Sequence, residues 1–119
     1  MAIAEEKRKF VRLNALVDVV YNKISPSVET KLSLIKNISK GGICLITYEE
    51  LKEQDMVDLK LFLPQEEKPI QAVGRIAWIK EFSIGNLAEG RRFDVGVEFV
   101  EIKDEDAARI GKYVFAHLK

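Results

Sequence analysis

Apolar side chains recur at every second position in run after run between residues 10 and 99, and this two-residue period limits the possible folds more than any other feature. In the first run, Phe10 to Tyr21, the residues Val11, Leu13, Ala15, Val17, Val19 and Tyr21 share one side, and Arg12, Asn14 and Asp18 share the other. That is a long strand with one face in a core. Turn chemistry at Ser25, Pro26 and Ser27, within residues 23–29, leads into a second run. Its alternation predicts Thr30, Leu32 and Leu34 facing in and Ser33, Asn37 and Ser39 facing out. The two runs read as a hairpin.

Gly41 and Gly42 interrupt the pattern before a third apolar strand, Ile43 to Thr47. Thr47 and Glu50 then have the spacing of a capping box, which predicts a short helical turn through Leu51. Val57, Leu59, Leu61 and Leu63 form a fourth strand that stops at Pro64, and a charged turn from Gln65 to Lys68 leads into a fifth run, Ile70 to Phe82, with Gly74 marking a bend. After a polar loop, Ser83 to Arg91, the last strand turns Phe93, Val95, Val97 and Phe99 inward and Asp94, Gly96 and Glu98 outward. Six strands at this spacing predict a mainly β fold, a closed antiparallel β-barrel. Asp104 is the expected N-cap of a C-terminal helix. Its apolar stripe of Ala107, Ile110, Val114, Phe115 and Leu118 would cover a barrel opening or an edge. With no internal repeat or linker, residues 1–119 read as a single domain.

Charge narrows the possible partners. Lysine plus arginine and aspartate plus glutamate both total 19, so no global field draws the chain to DNA or an anionic membrane, and any anion site must be local. No stretch approaches the roughly 20 apolar residues of a membrane span, and residues 1–10 lack a signal-peptide core. The single cysteine, Cys44, sits among Ile43, Leu45 and Ile46 and is expected to be a small core residue, which suits a reducing cytoplasm. Catalysis and metal binding find little support: the only histidine, His117, is at a helix end, and one His with one Cys cannot furnish a zinc site. Neither a P-loop nor a GxGxxG segment occurs.

Two polar clusters remain. The first is Lys7, Arg8, Lys9, Phe10, Val11 and Arg12, in which an extended backbone puts Arg8 and Arg12 on one face. Arginine's planar fork binds phosphate bidentately and pairs with the O6 and N7 edge of guanine. The second is Asn37, Ile38, Ser39, Lys40, Gly41 and Gly42. Here an amide and a hydroxyl lie side by side on the outer face, before a Gly-Gly turn that opens backbone N–H groups to a ligand. Each cluster alone is ordinary strand-end chemistry. Together they fall at neighbouring ends of one predicted hairpin, on its non-core face.

Arg8-Lys9-Phe10-Val11-Arg12 followed by Asn37-Ile38-Ser39-Lys40-Gly41-Gly42 resembles the paired RxxxR and [D/N]xSxxG signature of PilZ domains, bacterial receptors for cyclic di-GMP. Gly42-Ile43-Cys44-Leu45, Gly74-Arg75-Ile76-Ala77-Trp78 and Val95-Gly96-Val97-Glu98-Phe99 resemble the family's third, fifth and sixth strands, and a terminal helix is usual in it. The resemblance implies that Arg8 and Arg12 grip guanine and phosphate, that Asn37 and Ser39 contact base and phosphate, and that Gly41 and Gly42 allow close approach. It also implies a ligand, cyclic di-GMP, rather than a cofactor, and an effector protein linked to motility, biofilm or pili. Residues 1–9 are then expected to be a mobile segment that wraps the ligand. Asn37 stands where the family more often has aspartate, and Lys7 is placed to influence how many ligand molecules stack.

Rival readings are a PilZ-like adaptor that binds only protein, and a single-stranded nucleic-acid binder using Phe10, Tyr21 and Trp78. Zero net charge and the outward Asp18, Asp94 and Glu98 argue against the second. An enzyme has no candidate residues.

Overall fold

The computed structural model describes residues 12–24, 30–83 and 91–118. Six strands, β1 (Leu13–Lys23), β2 (Lys31–Ser39), β3 (Gly42–Thr47), β4 (Met56–Phe62), β5 (Ile70–Ser83) and β6 (Arg91–Ile102), precede one helix, α1 (Asp104–His117). The strands pair in the order β1-β2-β3-β6-β5-β4 and close into a barrel, every ladder antiparallel. This is the expected fold class. Closure follows from the alternation: each strand has one apolar face, and a closed sheet buries all of them without leaving an edge. Val17, Val19, Ile35, Leu45, Val57, Leu61, Ile76 and Val95 fill the interior. The expected strand start at Phe10 and Val11, and the segment 1–9, lie outside the described residues.

Phasing of β2 differs from the expectation. Ile35 pairs with Leu45 of β3 but Asn37 pairs with Cys44, so β2 carries one extra residue, a bulge at Lys36. A single inserted residue reverses which side of the strand faces inward. Before the bulge Ile35 is buried, while Leu32 is 75% and Leu34 38% exposed and Thr30 is exposed too. Ser33 shares the Ile35 side and donates to the Ile46 carbonyl. After the bulge Ile38 turns inward and Asn37 and Ser39 turn outward, as expected.

Three smaller expectations are also corrected. Bends, not a helical turn, follow Thr47, so there is no helix for a capping box to start; its hydroxyl donates to the Glu49 carbonyl at 3.0 Å. Asp104 is the first helical residue, and the N-cap is Lys103, without a side-chain bond; Asp104, Glu105 and Asp106 instead place negative charge in the first turn, where the helix dipole favours it. The buried face of α1 is Asp106, Ile110 and Val114, leaving Phe115 and Leu118 exposed. Among the described residues no helix is long and apolar enough to cross a membrane.

Candidate functional site

The hairpin of β1 and β2 brings the two sequence clusters together as far as they are described. Leu13 pairs with Ile38 and Asn14 with Asn37, which sets Arg12 beside Ser39 at the end of the ladder. Arg12, Ser39, Gly41 and Gly42 line one cleft of about 290 Å³ on the outer surface, whose opposite wall is Trp78, Gly96 and Glu98. Asn37 does not line the cleft; it lies on the same face, facing Asn14 on one side and Cys44 on the other. Arg8 falls outside the described residues.

Local bonding explains the shape of the β2–β3 turn. The Ser39 hydroxyl accepts the Gly41 N–H at 3.1 Å and donates to the Gly42 carbonyl at 3.4 Å, and the side chain is thereby nearly buried. The Gly41 carbonyl accepts from the Phe99 N–H at 2.9 Å, tying the turn to β6. A Cβ at Gly42 would come within 2.1 Å of the Val97 carbonyl oxygen. The glycine is therefore needed by the approach of β6, whether or not a ligand comes near.

Trp78, which the sequence offered only as a stacking ring for the nucleic-acid rival, is a residue of this cleft. A bulge between Ile76 and Trp78 turns the indole outward, opposite Gly96. There it lies across the glycine: a Cβ at residue 96 would be 2.1 Å from the indole Nε1. The ring is thus held against the sheet with 37% of the residue exposed, a ready stacking surface beside Arg12. A lone glycine in the middle of an apolar strand was the available signal, but its partner is known only once the β5–β6 register is known. At the cleft's far lip, Glu98 is paired with Arg75 at 3.1 Å, which offsets its charge.

Along the outer face from this cleft, Cys44 is buried but not in the barrel core, because Ile43 and Leu45 on either side take the inward positions. Burial, reinforced by the charge of Asp94, pushes its thiol up, with Lys36, Arg12 and Arg92 pulling the other way. Such a thiol is a poor nucleophile at neutral pH. Asp94 itself is 3% exposed and accepts from Lys36 and from Arg92, the latter through Nε at 3.2 Å and Nη2 at 3.0 Å. Burial works against its charge, but these two cations outweigh it and hold the carboxyl below the usual range.

A larger depression of about 580 Å³ lies elsewhere, with Asp58 and Glu101 set beside Lys60 and Lys103. Mixed charge and the absence of either motif make it the weaker candidate. Among the described residues no cluster of three or more His, Cys, Asp or Glu could hold a metal ion.

A family model of the PilZ domain matches residues 6–116. The chain belongs to the PilZ domain family. Solved structures agree with that membership in their fold. The Bacillus subtilis inhibitor of motility MotI/DgrA superposes with a TM-score of 0.72 at 24% identity, over 92% of this chain and 50% of that one. The PilZ domain of Escherichia coli YcgR, with c-di-GMP, gives 0.71 at 13% identity over 92% and 90%. The MrkH–c-di-GMP complex of K. pneumonia gives 0.72 at 19% identity over 92% and 51%. The present chain thus spans about half the length of MotI and of MrkH. No curated protein matches it in sequence.

Proposed function

We propose that this PilZ domain is a non-catalytic, cytoplasmic receptor for cyclic di-GMP. The observation that carries the reading is the convergence of Arg12, Ser39, Gly41 and Gly42 with the Trp78 indole on one exposed cleft. Each group has a separate task. The Arg12 guanidinium pairs with a phosphate or with the O6 and N7 edge of guanine. Trp78 offers a face on which a purine stacks. Ser39 holds the turn, and its donated bond to Gly42, at 3.4 Å, is long enough that its proton can be redirected to a phosphate oxygen. Asn37, at the rim, presents donor and acceptor to a base, while Gly41 and Gly42 keep the turn low. Arg8 joins Arg12 when residues 1–9 close over the ligand, and that ordering is the signal passed to an effector protein. YcgR and MrkH, which share the fold, have been solved with c-di-GMP.

The test is calorimetric titration of cyclic di-GMP, with cyclic di-AMP and GTP as controls. Selective binding is expected. Charge-assisted hydrogen bonds contribute about 1.5–3 kcal/mol each, so Arg12→Ala should weaken it by at least roughly tenfold with an unchanged circular dichroism spectrum. No heat from the folded protein would overturn the receptor reading in favour of an adaptor. The adaptor has one observation of its own, Leu16 and Leu32 standing 67% and 75% exposed on the outer faces of β1 and β2. MotI, described as an inhibitor of motility, and MrkH, described as a transcription regulatory factor, suggest two kinds of output.

A further inference from the structure

A second aromatic ring stands on the same outer face beyond Trp78. Across the β5–β6 ladder Trp78 faces Gly96, Lys80 faces Asp94 and Phe82 faces Arg92. Alternate residues share a face, so Trp78, Lys80 and Phe82 form one row about 13 Å long at about 3.3 Å per residue. Three cations surround the Phe82 ring: Lys80 at 5.2 Å from its centroid, Arg92 at 5.3 Å and Lys36 at 6.0 Å.

Only one carboxylate lies among them. Asp94 engages Lys36 and Arg92, while Lys80 has no carboxylate partner among the described residues. Glu81, nearby, is neutralised by Arg91 at 2.6 Å. The patch is therefore net cationic on a chain whose formal charge is zero. Asp94 also fixes its geometry, holding Arg92 by two nitrogens so that the guanidinium plane stays over Phe82.

The Arg12 cleft, at about 290 Å³, is at the small end of ligand pockets, which run from about 300 to 1,000 Å³. A molecule with two guanosines and two phosphates cannot be enclosed there. Towards Glu98 it would meet the neutral Arg75–Glu98 pair; towards Asp94 it meets the net positive charge of Lys36, Lys80 and Arg92. We propose that Lys36, Lys80 and Arg92 around Phe82 form a second subsite for a guanosine phosphate, continuous with the Arg12 cleft and reached past Trp78. The inference rests on the receptor reading above. The guanosine phosphate comes either from the outer half of the dinucleotide in the cleft or from a second molecule stacked on it.

Calorimetry with cyclic di-GMP on Lys36→Ala/Lys80→Ala, and on Lys80→Ala alone, tests the subsite. The single variant disturbs no ion pair, so a folding defect in the double variant would not spoil the test. If one molecule spans both subsites, affinity falls about tenfold in the double variant at unchanged stoichiometry, with a smaller fall in the single one. If a second molecule is bound, the second equivalent disappears and the first is retained. Wild-type affinity and stoichiometry in both folded variants would overturn the subsite alone. Equal weakening by Lys60→Ala/Lys103→Ala, which removes the same charge from the other depression, would overturn it as well. A silent titration of the unaltered protein would overturn both the subsite and the receptor reading.

Discussion

At Gly42 and Gly96 a single added carbon would collide with the barrel itself, and the two collisions differ in kind. At residue 42 the obstacle is backbone, the Val97 carbonyl, whereas at residue 96 it is the movable indole of Trp78. Gly96→Ala is therefore expected to displace the ring while the strands stay paired, at a cost of about 1–3 kcal/mol. Trp78 is the only tryptophan in the chain, so its fluorescence reads the displacement directly. An unaltered emission spectrum would show that the indole does not rest on Gly96. Asp94 couples stability to pH. Its folded pKa is lowered, with burial opposing and the hydrogen bonds from Lys36 and Arg92 prevailing. Its contribution to stability is thus complete above the unfolded value of about 3.9 and is lost as pH falls through the lower folded value. Asp94→Asn should lower stability at pH 7 and flatten its decline below about pH 4, as followed by urea unfolding at a series of pH values. Ser39, Gly41 and Gly42 were legible from their spacing because neighbours in sequence make that turn. Trp78 was not, since its role depends on a residue of another strand.

On the scale of one element, β2 shows where alternation misleads. Its start, Thr30, Leu32 and Leu34, has the pattern of a core face, yet Ile35 and Ile38 are the fully buried residues. They are three apart, a spacing that period two forbids, and only the bulge at Lys36 reconciles them. The barrel was readable because β1, β3, β4 and β6 keep their phase, and β5 changes its own only at the bulge after Ile76. Asn37 and Ser39 were placed on the outer face because the phase read there happens to match that of the strand beyond the bulge. The consequence is measurable. Ile35→Ala, which opens a cavity, should cost about 2–5 kcal/mol, whereas Leu32→Ser should stay within about 0.5 kcal/mol. Denaturant midpoints of the two variants decide between this phasing and the simple alternation, which demands the reverse order.

For the molecule as a whole, the helix connects stability to the site. Ile110 and Val114 of α1 enter the same core as Ile38 and Leu13, and Arg109 on its flank bonds to Asp106, Glu66 and the Lys68 carbonyl. On the other flank Gly111 lies so close to the Lys40 stem that a Cβ would be 2.9 Å from its Cδ. Thus α1 touches both the β4–β5 turn and the β2–β3 turn that carries Gly41 and Gly42. Loosening the helix should then loosen the cleft wall, because local opening follows the packing that holds a segment closed. Ile110→Ala should cost about 2–5 kcal/mol and speed amide hydrogen exchange at Gly41, whose N–H depends on the Ser39 hydroxyl. Arg109→Ala acts on the β4–β5 side and should leave that amide's exchange unchanged. If both variants accelerate Gly41 equally, α1 supports the barrel only globally; if Ile110→Ala alone does so, the helix positions the turn on which ligand approach depends.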